Sequence, residues 1–150
     1  MSPEDQALWQ AYTTTVFSAP HRLEWGTFGI LTAWNPGVFL SFEENRGRNQ
    51  ALASELLSLG LVFEVIFAGS PDGEHLEPSW AVQDRCESAR TLACRWGQNA
   101  IFWVERDRLH LVGCRPGWPD ELELGAFSPR WLAWEQVPPS WQAEFLQSSG

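Results

Sequence analysis

The chain has 150 residues, 44% hydrophobic and 19% charged, the composition of one globular domain with a core of its own. Ten arginines and no lysine exclude any chemistry that needs a lysine amine. A net charge of −9 argues against nucleic acid as a partner, because such binding rests on neutralising phosphates. The N-terminus, Met1-Ser2-Pro3-Glu4-Asp5, has neither a basic nor an apolar leader region, and Leu59–Gly69, the longest apolar stretch, is too short to span a bilayer. No membrane segment is therefore expected. Cys86, Cys94 and Cys114 read as reduced thiols of a cytoplasmic protein. If Cys86 and Cys94 share a helix, they stand about 12 Å apart, beyond disulfide reach.

In chain order, Ser2 followed by Pro3, Glu4 and Asp5 predicts an N-cap and a short helix through Gln10. Tyr12–Phe17 is Thr-rich and β-branched, which predicts a strand, and Trp25–Trp34 predicts a second strand that could pair with it as a hairpin. Ser41-Phe42-Glu43-Glu44 is a capping box, and a helix should run from Phe42 to Leu59 with Gly60 beyond its end. Leu61–Ala68 and Leu76–Val82 predict strands joined by the Gly69–Gly73 turn. Pro78 argues that the second of these lies at an edge or carries a bulge. Cys86, Ala89, Leu92, Ala93 and Trp96 make the apolar stripe of another helix, closed by Gly97. Ala100–Val104 and Leu109–Gly113 then form a hairpin around Arg106-Asp107.

The expected fold is α+β: a mainly antiparallel sheet with two helices on one face, ββαββαββ, with a ferredoxin-like core as one version. A single domain 1–150 divides into this core, 1–113, and an extension, 114–150. From Arg115 onward the extension holds five of the ten prolines and four of the ten tryptophans, and reads as irregular chain wrapped over the sheet with a short helix near Ser140–Gln147. Alternatively its tryptophans form a surface for a protein partner or for a second copy of the chain.

The long predicted helix carries the clearest anomaly. On its stripe Phe42, Asn45, Asn49, Leu52, Leu56, two amides stand where apolar residues are expected. Just upstream, Trp34 and Asn35 must pass close to the helix start. An unsatisfied buried amide costs about 1–3 kcal/mol. These side chains should therefore either tie the loop to the helix or line a pocket with an aromatic wall. Arg46 and Arg48 lie nearby but point about 200° apart, and Glu43 and Glu44 already complement the helix dipole, so an anion site is weakly supported.

Glu77 lies on the strand face opposite Leu76 and Trp80, where a carboxylate could orient loop amides or act as an acid or base. Gln98 and Asn99 are either turn residues or reach the same pocket. His75-Leu76-Glu77 has the H-x-E spelling of zinc deaminases without their second motif, and the cysteine spacing fits no metal site. No cofactor or metal is expected, and the thiols, serines and histidines form no nucleophile–base pattern.

Thr32-Ala33-Trp34-Asn35-Pro36, Ser41 with Asn45 and Asn49, Gly69-Ser70-Pro71, Glu77-Pro78-Ser79 and Gly97-Gln98-Asn99-Ala100 together resemble the bacterial domain of unknown function 3293 family over about residues 10–113. The resemblance implies a stand-alone bacterial cytoplasmic domain and brings no assigned activity with it. The leading expectation is a domain that binds a small polar ligand or a protein partner, with Trp34, Asn35, Asn45, Asn49 and Gln98 as candidate binding residues. The alternative is an enzyme acting on a nucleotide-like or amide-containing substrate, with Glu77 as acid/base.

Overall fold

The computed structural model describes residues 1–149. Its elements are α1 (Pro3–Tyr12), β1 (Val16–Ser18), β2 (Thr27–Leu31), α2 (Phe42–Ser58), β3 (Val62–Gly69), β4 (Leu76–Gln83), α3 (Cys86–Arg95), β5 (Ala100–Glu105), β6 (Arg108–Gly113), β7 (Glu121–Ala126) and α4 (Pro139–Ser149). The strands make one curled antiparallel sheet in the order β1-β3-β4-β2-β5-β6-β7. The protein is thus α+β, but with seven strands and four α-helices rather than the ββαββαββ expected.

Helix α2 forms where the capping box requires. The Ser41 hydroxyl accepts from the Glu44 N–H at 3.1 Å, and Gly60, at φ +73°, takes the left-handed conformation that ends the helix. Its buried residues are Asn45, Asn49, Leu52 and Leu56. With Ala89, Leu92 and Ala93 of α3 they cover one face of the sheet, over Leu31, Val82, Ile101 and Trp103. The opposite face carries Phe28, Ile30, Ala81, Val104 and Leu109 and is closed by Phe17, Phe127 and Trp131.

The N-terminal pairing differs from expectation. Tyr12 ends α1 instead of opening a strand, and the Thr13 and Thr14 hydroxyls donate back to the carbonyls of Gln10 and Ala11, at 2.6 and 3.1 Å. Local hydroxyl bonding has overridden β-branched propensity. Strand β1 lies at the sheet edge against β3, while β2 lies between β4 and β5, so the two form no hairpin.

Pro78 is also placed differently, in a strand flanked on both sides. It is tolerated because β2 ends at Leu31, opposite Trp80. The Pro78 carbonyl turns to that vacated side and accepts from the Thr32 hydroxyl (2.8 Å) and Asn49 Nδ2 (2.7 Å). A proline nitrogen facing the same way interrupts no ladder bond.

The extension is more regular than expected. Glu121-Leu122-Glu123-Leu124 alternates into β7, with Glu121 pairing His110 (2.8 Å) and Glu123 pairing Arg108 (2.7 Å) on the outer side. Trp118 packs on Trp9 and Leu111, and Trp131 packs with the Phe28 cluster. Trp141 is fully buried with Phe67 and Val137, and half-buried Trp134 packs there too. No described helix is long and apolar enough to cross a membrane.

Candidate functional site

Where β2 stops early, the sheet face carrying Glu77 and Ser79 loses its neighbouring strand. The chain turns away through Thr32–Pro36 and Asn35 adopts a left-handed φ of +46°. Helix α1 and the 35–39 loop roof the opening. The result is a cavity of about 300 Å³ with Ile30, Ala68, Phe102 and Leu111 on its floor and Tyr12, Asn35, Glu77, Gln98 and Asn99 among its polar lining. The rim is apolar: Leu8, Val38 and Phe39 are all exposed, Phe39 at 87%.

Three of the six residues nominated from sequence, Asn35, Glu77 and Gln98, converge here. Trp34, Asn45 and Asn49 lie behind the wall. Asn49 Oδ1 accepts from the Ala33 N–H (2.7 Å), and its Nδ2 donates to the Pro78 carbonyl. Asn45 Oδ1 accepts from the Asn35 N–H (2.7 Å), and its Nδ2 donates to Asn35 Oδ1 (2.7 Å) and to the Leu40 carbonyl (3.3 Å). Trp34 is buried edge-on against Phe42. Arg48 reinforces this wall: it donates to the Ala33 carbonyl (2.8 Å) and to the Trp96 carbonyl, and lies over the Trp96 ring. Its guanidinium is therefore committed to backbone.

The wall leaves particular atoms free toward the cavity. Asn35 Oδ1 accepts from the Leu40 N–H (2.9 Å), which orients its Nδ2 as an unused donor. Gln98 Nε2 donates to the Trp34 carbonyl (3.3 Å), which leaves Oε1 as an unused acceptor. Asn99 is fully engaged, donating to the Tyr12 hydroxyl (3.0 Å) and accepting from Arg115 (3.3 Å). The Tyr12 hydroxyl keeps its own proton to donate; burial, chiefly, raises its pKa, and the nearby Glu77 charge adds to this.

Glu77 is the exceptional group. It is half-buried, its carboxyl makes no hydrogen bond or ion pair with any described residue, and desolvation pushes it from 4.5 up to about 7. Sequence alternation placed it on this face. Tyr12, read from sequence as a strand residue, is the important lining residue that was missed; only the packing of α1 across the sheet brings it here. Among the described residues, no three His, Cys, Asp or Glu side chains come together as metal ligands would. A second cavity, about 390 Å³ between Trp25, Phe127 and Trp131, contains Asp107, but that carboxylate already accepts from the Ser128 N–H (2.9 Å) and hydroxyl (2.6 Å).

The fold and site define a small α+β domain with a cavity that holds an unpartnered acid beside a polar wall. Residues 31–101, a segment that contains all six nominated residues, match the family model described as "Protein of unknown function (DUF3293)". No curated protein and no solved structure matches the chain.

Proposed function

We propose that the protein binds a small ligand in the cavity formed by α1, the 35–39 loop and the open end of β4, with Glu77 as its polar anchor. The observation that carries this reading is an unpartnered carboxyl beside a wall in which the amides of Asn45, Asn49 and Asn99 are tied to protein. Leaving such a group unpaired is costly, and a bound partner removes the cost. Asn35 Nδ2, Gln98 Oε1 and the Tyr12 hydroxyl orient the ligand, while Asn45, Asn49 and Trp34 hold the wall that presents them. The tail tryptophans pack on their own sheet, which favours the cavity over the tail as the binding site. The inner strand order β3-β4-β2-β5, with α2 and α3 on one face, supports reading the core as a ferredoxin-like unit. Three free thiols fit a reducing cytoplasm as its setting.

A second reading, an enzyme acting on an amide-containing or nucleotide-like substrate, draws on the Glu77 carboxyl at about 7, a value suited to passing a proton at neutral pH. A thermal-shift screen of metabolites on wild type and Glu77→Ala tests the binding reading. A hit at a hundred times its Kd adds about 2.7 kcal/mol to wild type, and the gain should shrink in the variant. Hits that stabilise both proteins equally would refute Glu77 as the anchor. Turnover of a hit would favour the enzyme.

A further inference from the structure

Building on the cavity reading, we infer that the ligand is a small protonated amine with an apolar body, its ammonium paired with Glu77 and its body lying along Tyr12 and Phe102 toward the rim. The charge inventory of the cavity carries this. Glu77 is its one carboxylate, and neither arginine nor lysine lines it. The sequence contains no lysine at all. The guanidinium beside Asn99, that of Arg115, is shared between Asn99 and Asp5 (3.5 Å) and lies over the Trp118 ring. His75 lines the cavity from the turn before β4 but is itself exposed. An anionic ligand would bring a second negative charge against Glu77 with no lining arginine or lysine to offset it.

A cation supplies the partner that the protein withholds. An ammonium has three donors, and the cavity lining offers the Glu77 oxygens and Gln98 Oε1 as acceptors without a protein partner. The remaining surface selects the body. Ile30, Ala68, Phe102 and Leu111 give an apolar floor, and the Tyr12 and Phe102 rings add faces that attract a cation. The space, about 300 Å³, equals roughly ten water volumes. An arylalkylamine is of that scale, whereas a polyamine would need further acids.

Three near-isosteric probes separate charge from shape: phenethylamine, phenethyl alcohol and 3-phenylpropionate, titrated into the full chain at pH 8 by amide NMR. The amine is expected to bind about tenfold tighter than the alcohol, the gain of a charge-assisted bond over a neutral one, and the propionate weakest. Glu77→Gln, which keeps shape and leaves the net charge strongly negative, should bring the amine-to-alcohol ratio to about one while leaving the alcohol's Kd within about twofold. Equal or tighter binding of the propionate, or an unchanged ratio in Glu77→Gln, overturns the inference. If all three bind the cavity alike, the amine class falls and the cavity reading stands. If none shifts the amides of Tyr12, Glu77 and Gln98, both fall.

Discussion

Asn49→Ala perturbs the wall at its most connected point. In the native protein Asn49 Oδ1 accepts the Ala33 N–H at 2.7 Å, and Nδ2 donates to the Pro78 carbonyl at 2.7 Å. The two acceptors around Thr32 compete for a single hydroxyl proton, and the shorter contact, 2.8 Å to Pro78, takes it over the 3.3 Å contact to Asn49. After truncation Pro78 therefore keeps one donor, while the buried Ala33 N–H loses its acceptor. One unsatisfied buried group costs about 1–3 kcal/mol. At about 2–4 °C per kcal/mol for a domain of this size, Tm should fall by about 2–12 °C. Differential scanning calorimetry at pH 7, supported by urea unfolding, measures it. Asn49→Asp should also be destabilising, because it sets a second acceptor against the Pro78 carbonyl. A Tm for Asn49→Ala within about 1 °C of wild type would refute the wall as a stabilising network.

Three further outcomes follow from the same geometry. Glu77 has a folded-state pKa above its unfolded value, so the folded protein binds more protons between about 4.5 and 7, and the Glu77 contribution to stability falls as pH rises through that window. Glu77→Gln should therefore match wild type near pH 4.5 and exceed it by up to about 3 kcal/mol at pH 8; Tyr12 from α1, His75 from the turn before β4, and the more distant Asp5 and Arg115 are common to both proteins and largely cancel in the difference. Gly69→Ala should lower Tm strongly, because a Cβ there would stand 2.4 Å from the Trp141 ring and 2.5 Å from the His75 carbonyl oxygen; thermal melts check this. Trp141→Ala, which empties a fully buried site, should cost about 3–5 kcal/mol by urea titration, and an unchanged midpoint would mean that the tail is not part of the core.

The local elements were legible wherever the signal is local. The Ser41 capping box and Gly60 bound α2 to within a residue, and the alternation of Phe63, Val65 and Phe67 marks β3. Glu77 could be assigned to its sheet face from Leu76 and Trp80 alone. Partner choice was not legible: β1 against β3 rather than β2 is a decision made across the whole sheet, and no turn residue records it. Tyr12 and the threonines after it carry strand propensity, yet hydroxyl-to-carbonyl bonds spend those threonines on ending α1. Strand β7 was hidden differently. Its Glu-Leu alternation is visible, but the prolines and tryptophans around it suggested irregular chain. For the site, the amides of α2 announced themselves as misplaced polarity on an apolar stripe. That both turn into the wall and not the cavity depends on carbonyls at Pro78 and Leu40 that come into reach only after folding.

The centre of the site is a half-buried, unpartnered carboxyl at the cavity wall. Carbon-13 NMR titration of the glutamate side-chain carboxyls, with the Glu77 resonance assigned by its loss in Glu77→Gln, measures that directly. The predicted midpoint is near 7, falling when phenethylamine is bound because the ammonium favours the ionised form. A midpoint at 4.5, unmoved by the amine, would show a solvated or already partnered side chain and would contradict the site.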